Sequence, residues 1–225
     1  MSYRLREGLS YCEVDGGLVF LDLEADRYFR LADRFSRALA AALGGERQSG
    51  TDVEALVAKR ILVQSPAAFP YPPDAPITVP TRSALEQRNS TPGLHVLTVL
   101  EATALVFSTQ MQLRNRRLAR ILGSLVAYRD RMTAGRLSTV ATPTAQLLAT
   151  TARFRQSRAY VPIEPCCLLD SIAMVRFLAR RRIPAAITFG VTLDPFAAHC
   201  WVQSGDWVLN DTVGNVVAHT PIRRV

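Results

Sequence analysis

The chain has 225 residues, 48% of them hydrophobic, and carries a formal net charge of +8, enough apolar material for one ample core or two small ones. Four cysteines at irregular positions exclude a disulfide framework and fit a reducing cytoplasm. Three scattered histidines exclude structural zinc spacing, and neither a signal-peptide core nor an apolar run of membrane-spanning length is expected. The basic residues are almost all arginine, with Lys59 the single lysine. A denser group at Arg114, Arg116, Arg117 and Arg120 reads first as a solvated helix face, though an acidic peptide, a nucleotide phosphate or a partner protein could use it.

From Tyr3 to Leu31 the chain is strand-like. Leu9–Val14, Leu18–Leu23 and Arg27–Leu31 are separated by Asp15-Gly16-Gly17 and Glu24-Ala25-Asp26, which is turn chemistry, so a three-stranded antiparallel meander is predicted. Helical text follows: Asp33 caps a run through Phe35, Leu39, Ala42 and Leu43 that Gly44-Gly45 closes, and Thr51-Asp52-Val53-Glu54 opens a second helix through Leu56, Val57 and Ala58. Arg60–Val63 ends the unit as a short extension. Strands followed by short helices within residues 1–65 suit a winged-helix-like module. The patterns Gly17–Asp22, Arg27-Tyr28-Phe29-x-Leu31 and Asp52-Val53-Glu54-x-Leu56-Val57 resemble the precursor-recognition domain of peptide natural-product pathways, the PqqD-like fold. The resemblance implies that an extended leader peptide pairs with an exposed edge strand while its side chains fill pockets beside it. The expected leader-binding residues are Arg27, Tyr28, Phe29, Arg30 and Leu31, with Val53, Leu56 and Val57 as the helical wall. Some of these must instead pack the module's own core. A winged-helix DNA-binding regulator is the rival reading, but Asp52 and Glu54 on the second helix repel phosphates, so no nucleic acid is expected.

Pro66, Pro70, Pro72, Pro73, Pro76 and Pro80 forbid regular helix, and residues 66–90 are predicted as an extended linker. Residues 91–225 form the second domain, beginning with helices over Leu94–Phe107, Met111–Met132 and Pro143–Phe154, the last with Thr142 as cap.

Chemistry concentrates near the C-terminus. Cys166-Cys167-Leu168-Leu169-Asp170-Ser171 opens an apolar-periodic helix, which puts a thiol where unpaired N–H groups and the helix dipole favour thiolate. Ala197–Val202 reads as a strand carrying His199. Trp207–Asp211 reads as its hairpin partner across Ser204-Gly205-Asp206, so a carboxylate at the end of the second strand can orient the histidine on the first. Residue types and order alone leave either Cys166 or Cys167 as nucleophile, with His219 as a reserve base. Trp201 is expected to wall the site, Asp206 to serve the turn, and the backbone N–H of Cys167 to be an oxyanion donor. No glycine-rich phosphate loop or other cofactor motif is present, and no metal site is expected.

Cys167-Leu168-x-x-Ser171, Arg181–Ala185, Phe189-Gly190-Val191, Pro195-Phe196-x-Ala198-His199-x-Trp201-Val202 and Val208–Asp211, in that order, resemble the leader peptidase of lasso-peptide biosynthesis, the B protein. The resemblance implies an α+β chain in which the recognition module precedes a transglutaminase-like (papain-like) cysteine peptidase with a helical lead-in. It makes Cys167 the nucleophile, His199 the base and Asp211 the orienter. It implies a lasso precursor peptide as substrate, an asparagine-synthetase-like lasso cyclase as partner, and cleavage that can depend on ATP or on that cyclase. A non-catalytic adaptor presenting the precursor to the cyclase, and a transglutaminase-type acyl transferase, are the remaining readings.

Overall fold

The computed structural model describes residues 2–44, 50–65, 77–87, 93, 95–134 and 144–225. The proline run Pro66–Pro76, Gly45, Leu94, and the Thr142-Pro143 cap fall outside the described residues. The chain divides into two compact units, Met1–Ile77 and Thr78–Val225.

In the first unit, β1 (Ser2–Leu5) pairs antiparallel with β5 (Leu62–Ser65). A three-stranded meander is formed by β2 (Leu9–Val14), β3 (Gly17–Asp22) and β4 (Arg27–Arg30), with β3 in the centre. The β2–β3 turn is Asp15-Gly16, both at positive φ (48° and 74°). Those angles are the mirror-image turn whose twist matches that of the flanking strands. Helices α1 (Asp33–Leu43) and α2 (Thr51–Ala58) follow. Phe20, whose ring stacks on Phe29 at 5.0 Å between centroids, meets Leu9, Leu39, Val53, Leu56 and Leu62 in one core.

Two residues expected to wall a leader groove are therefore elsewhere. Val53 and Leu56 are 2% and 0% exposed and belong to that core, while Val57 packs against it from the edge. A helix of two turns has a single apolar stripe, and here the unit's own sheet takes it. The surface beside β4 comes instead from Phe35 and the Lys59–Ile61 turn.

The second unit is a five-stranded sheet in the order β10-β7-β8-β9-β6, built from β6 (Arg82–Ser83), β7 (Ala186–Leu193), β8 (Phe196–Ser204), β9 (Trp207–Val208) and β10 (Thr220–Arg224). All pairs are antiparallel except β6 with β9. Residues Thr78–Gln87, predicted as linker, belong to this unit, because Thr81 and Arg82 donate backbone N–H to the Asp206 carbonyl and Arg82 bridges the Asp206 carboxylate at 2.7 Å.

Four helices complete the unit's framework: α3 (Val96–Asn115), α4 (Leu118–Thr133), α5 (Thr144–Arg158) and α6 (Cys167–Ala179), with a short α7 (Val213–Val217) before β10. The sequence predicts a break near Ser108. The helix instead runs on to Asn115, since Ser108 returns its hydroxyl to the Leu105 carbonyl and Thr109 and Gln112 accept from Arg176 of α6 at 3.0 and 2.6 Å. The extended helix is long and apolar enough by length and composition to cross a membrane, which corrects the expectation from the shorter segment. Its Ala102, Val106 and Thr109 are buried and its Glu101 holds Arg181, in the turn after α6, at 2.7 Å, whereas Val96, Leu97, Leu100, Phe107 and Met111 are exposed.

Assigning Leu56 to the core gives a direct expectation. Leu56→Ala should cost about 2–5 kcal/mol through lost burial and a cavity, seen as a lowered melting temperature in circular dichroism. An unchanged melting temperature would contradict the placement.

Candidate active site

Helix α6 begins at the vicinal thiols. Cys166 is its N-cap, in extended conformation and exposed, while Cys167 occupies the first helical position and lines a groove of about 460 Å3 together with His199, Asn210, Pro165 and Met174. The first N–H groups of a helix have no intrahelical partner, so the Cys167 sulfur sits where the backbone is most positive.

β8 presents His199 and Cys200 to this corner. His199 Nε2 lies 2.5 Å from Asp211 Oδ2, and the ring also shares a side-chain hydrogen bond with Cys167. With Nε2 taken by the carboxylate, Nδ1 is the nitrogen left for sulfur. Asp211 lies in the bend after β9 and is itself held from several sides. Its Oδ1 accepts the Thr212 N–H at 2.7 Å, its Oδ2 accepts Asn215 Nδ2 at 2.8 Å, and its carbonyl accepts the Ser83 hydroxyl at 2.5 Å.

The charge state follows from these contacts. The Cys167 thiol is brought down to about 4, first by a hydrogen bond from the Cys200 side chain, then by His199 and by the Cys200 backbone N–H, all against the opposing pull of burial. His199 is raised, chiefly by Cys167 and further by Asp211, again against burial. Cys200, 2% exposed, is pushed up by the neighbouring Cys167 and by burial. Between the Cys167 value and the raised His199 value the pair is thiolate and imidazolium, which is a nucleophile and a proton donor prepared together.

Surrounding side chains fix the geometry. Arg158, 8% exposed, reaches Asp170 Oδ1 of the first α6 turn at 2.6 Å and the carbonyls of Val161 and Ile163 at 3.3 and 2.9 Å, pinning the segment that delivers Cys167. Asn210 accepts the Val202 N–H at 2.7 Å and donates to the Ser171 hydroxyl at 3.0 Å, which ties β8 to α6. Trp201 is 1% exposed and stacks beside His199 at 6.1 Å between ring centroids. Room for it depends on Gly190, where a Cβ would come within 2.8 Å of the Trp201 ring and 3.0 Å of His219 Cβ.

The structure brings Cys167, His199 and Asp211 to one corner and keeps Cys166 on the outside. The His219 ring lies tilted at 44° to that of His199, 5.3 Å between centroids, and donates its Nδ1 proton to the Asn215 carbonyl at 2.8 Å. Among the described residues it has no hydrogen bond to Cys167. Asp206 serves Arg82 and Thr81. Ser83, Asn215 and Arg158 went unread in the sequence. Only the adjacency of Asn210 to Asp211 hinted at a role for Asn210. Among the described residues no group of three or more His, Cys, Asp or Glu could hold a metal, and nothing indicates a cofactor.

In a Cys166→Ser background, iodoacetamide should alkylate Cys167 at a nearly constant rate from neutral pH down towards the thiol's value of about 4, because a lowered pKa leaves thiolate above it. His199→Ala should move the inflection upward. A parent inflection at about 8.5, the ordinary thiol value, would contradict the ion pair.

Residues 107–224, a little over half of the chain, match a family model described as the transglutaminase-like superfamily. Over 45 residues the chain is 44% identical to the microcin J25-processing protein McjB of Escherichia coli, a match that covers 20% of this chain and 22% of that protein. No solved structure matches the chain. The matched residues contain α6, β7, β8, β9 and β10, the elements that carry and brace the thiol, imidazole and carboxylate, and the chain belongs to the transglutaminase-like superfamily.

Proposed function

We propose that the protein is a leader peptidase of lasso-peptide maturation, using Cys167 as nucleophile, His199 as proton carrier and Asp211 as orienter. The observation that carries this reading is the Cys167–His199–Asp211 chain of hydrogen bonds at the start of α6. The partial similarity to a microcin-processing protein supports the choice of substrate class. In the reaction, the Cys167 thiolate attacks the scissile carbonyl of the precursor and its electrons move onto the carbonyl oxygen, beside the free N–H groups of the first α6 turn. As the tetrahedral adduct collapses, His199 gives its proton to the departing amide nitrogen, and the core peptide leaves with a new N-terminal amine. Water then attacks the thioester carbonyl, His199 takes a proton from it, the carbon–sulfur bond breaks, and the leader leaves as a carboxylic acid.

On this reading the first unit is the PqqD-like recognition module. β4 is an edge strand among the described residues, so its outer backbone groups offer a ladder to an extended leader. Covalent linkage of the two units raises the concentration of a docked precursor at the thiol. The reading assigns the protein to the cytoplasm, where thiols stay reduced, and assigns the freed amine to an asparagine-synthetase-like cyclase, the partner through which any ATP dependence would enter.

Mass spectrometry of a full-length precursor incubated with the protein tests the reading. The parent and Cys166→Ala should release leader and core. Cys167→Ala should release neither, and Asp211→Asn should be slowed by about 10²-fold or more. Cleavage surviving in Cys167→Ala would overturn the mechanism.

A further inference from the structure

The first unit holds a pocket of about 440 Å3 between β4, the start of α1 and the turn that follows α2. Its floor is apolar, with Phe29, Leu31 and Phe35 partly buried over the core. Its rim is cationic. Arg6, Arg27, Arg30, Lys59 and Arg60 line the pocket against a single acid, Asp22.

That acid is already satisfied. Burial would raise Asp22, but hydrogen bonds from Arg6 and from the N–H groups of Ala25 and Glu24 hold it below the usual carboxylate range, with Arg6 bridged to it at 2.8 Å and to Glu24 at 2.6 Å. The Arg30 guanidinium lies against Gly17, where a Cβ would come within 2.7 Å of it. Arg27, Lys59 and Arg60 remain, exposed and without an ion pair among the described residues, with the Arg27 guanidinium over the Phe29 ring at 5.5 Å from its centroid. The N-cap of α1, Ala32, also lines the pocket, but Asp33 in the first turn of that helix offsets its positive end, so the positive field comes from the three side chains. Uncompensated cations beside the outer edge of β4 form a complement to negative charge on a paired strand.

We infer that this pocket selects an acidic extended peptide, one that pairs along β4, seats an apolar side chain on Phe29, Leu31 and Phe35, and brings flanking carboxylates to Arg27, Lys59 and Arg60. The inference rests on the leader-docking part of the proposed function and gives that leader a charge requirement. It does not depend on the cleavage chemistry of the second unit. A phosphate-bearing ligand is disfavoured because the cations ring an apolar floor next to a strand edge, a shape that suits alternating side chains.

The test uses the full-length chain carrying Cys167→Ala, so that no probe is cut. Two dansyl-labelled synthetic dodecapeptides of alternating pattern are compared by fluorescence anisotropy, one with glutamates flanking a central leucine and one with glutamines in their place. The glutamate peptide should bind about tenfold tighter at low salt, the sum of two or three exposed ion pairs, and added salt should close the gap. Arg27→Glu with Lys59→Glu should reverse the preference towards a lysine version of the peptide, and the milder Lys59→Gln should narrow it, with circular dichroism verifying the fold of each. Equal binding of the glutamate and glutamine peptides would overturn the charge requirement while leaving leader docking standing. Binding of neither would remove both. Saturable binding of inorganic phosphate or ATP, lost in Arg27→Glu, with no glutamate-peptide binding, would mark a phosphate site and overturn the inference.

Discussion

A thiolate stabilised at the start of a helix is the interaction on which the second unit depends. It needs three things at once: helix N–H groups without partners, a protonated imidazole, and an acid that keeps that imidazole turned towards sulfur. Each comes from a different element, α6, β8 and the bend after β9. Much of the unit braces those three. Arg158 anchors the approach to Cys167, Asn210 couples β8 to α6, Ser83 fixes the backbone of Asp211, and Glu101 of α3 clamps Arg181, whose guanidinium lies 3.5 Å over Phe177 of α6. The helical lead-in, which carries no chemistry of its own, thus acts on the site by holding the helix that begins at Cys167.

Cys200 bears more directly on that sulfur. It is fully buried, raised by its neighbour, and gives both a side-chain and a backbone hydrogen bond to Cys167. Its thiol also points at the Ser171 hydroxyl, 3.9 Å away. A buried donor that stays neutral stabilises a facing anion without introducing a charge that must itself be solvated, and in a groove partly shielded from water such contacts are stronger than in bulk.

Local patterns made much of this legible. Turn residues marked the β2–β3–β4 meander, Thr51-Asp52 marked the start of α2 although Gly50 and not Thr51 is its N-cap, and the apolar period after the paired cysteines marked α6. The order thiol, imidazole, acid pointed to one corner because the β8–β9 hairpin needs only a tight turn at Gly205-Asp206. What local pattern did not carry was pairing at a distance. Nothing in Thr81-Arg82-Ser83 announces a strand, since two residues have no periodicity, and its place is set by Asp206 from over a hundred positions away. Arg158 was one arginine among many until folding buried it. Val53 and Leu56 have the right chemistry for a docking wall, and only the packing of α2 shows that they face inward.

The most direct test is to catch the covalent intermediate. Mixing the protein with precursor, quenching in acid within the first turnover and mapping the adduct by tandem mass spectrometry should find the leader joined through a thioester to the sulfur of Cys167. Attachment at Cys166 instead, or steady release of core peptide with no adduct on any cysteine, would contradict the account.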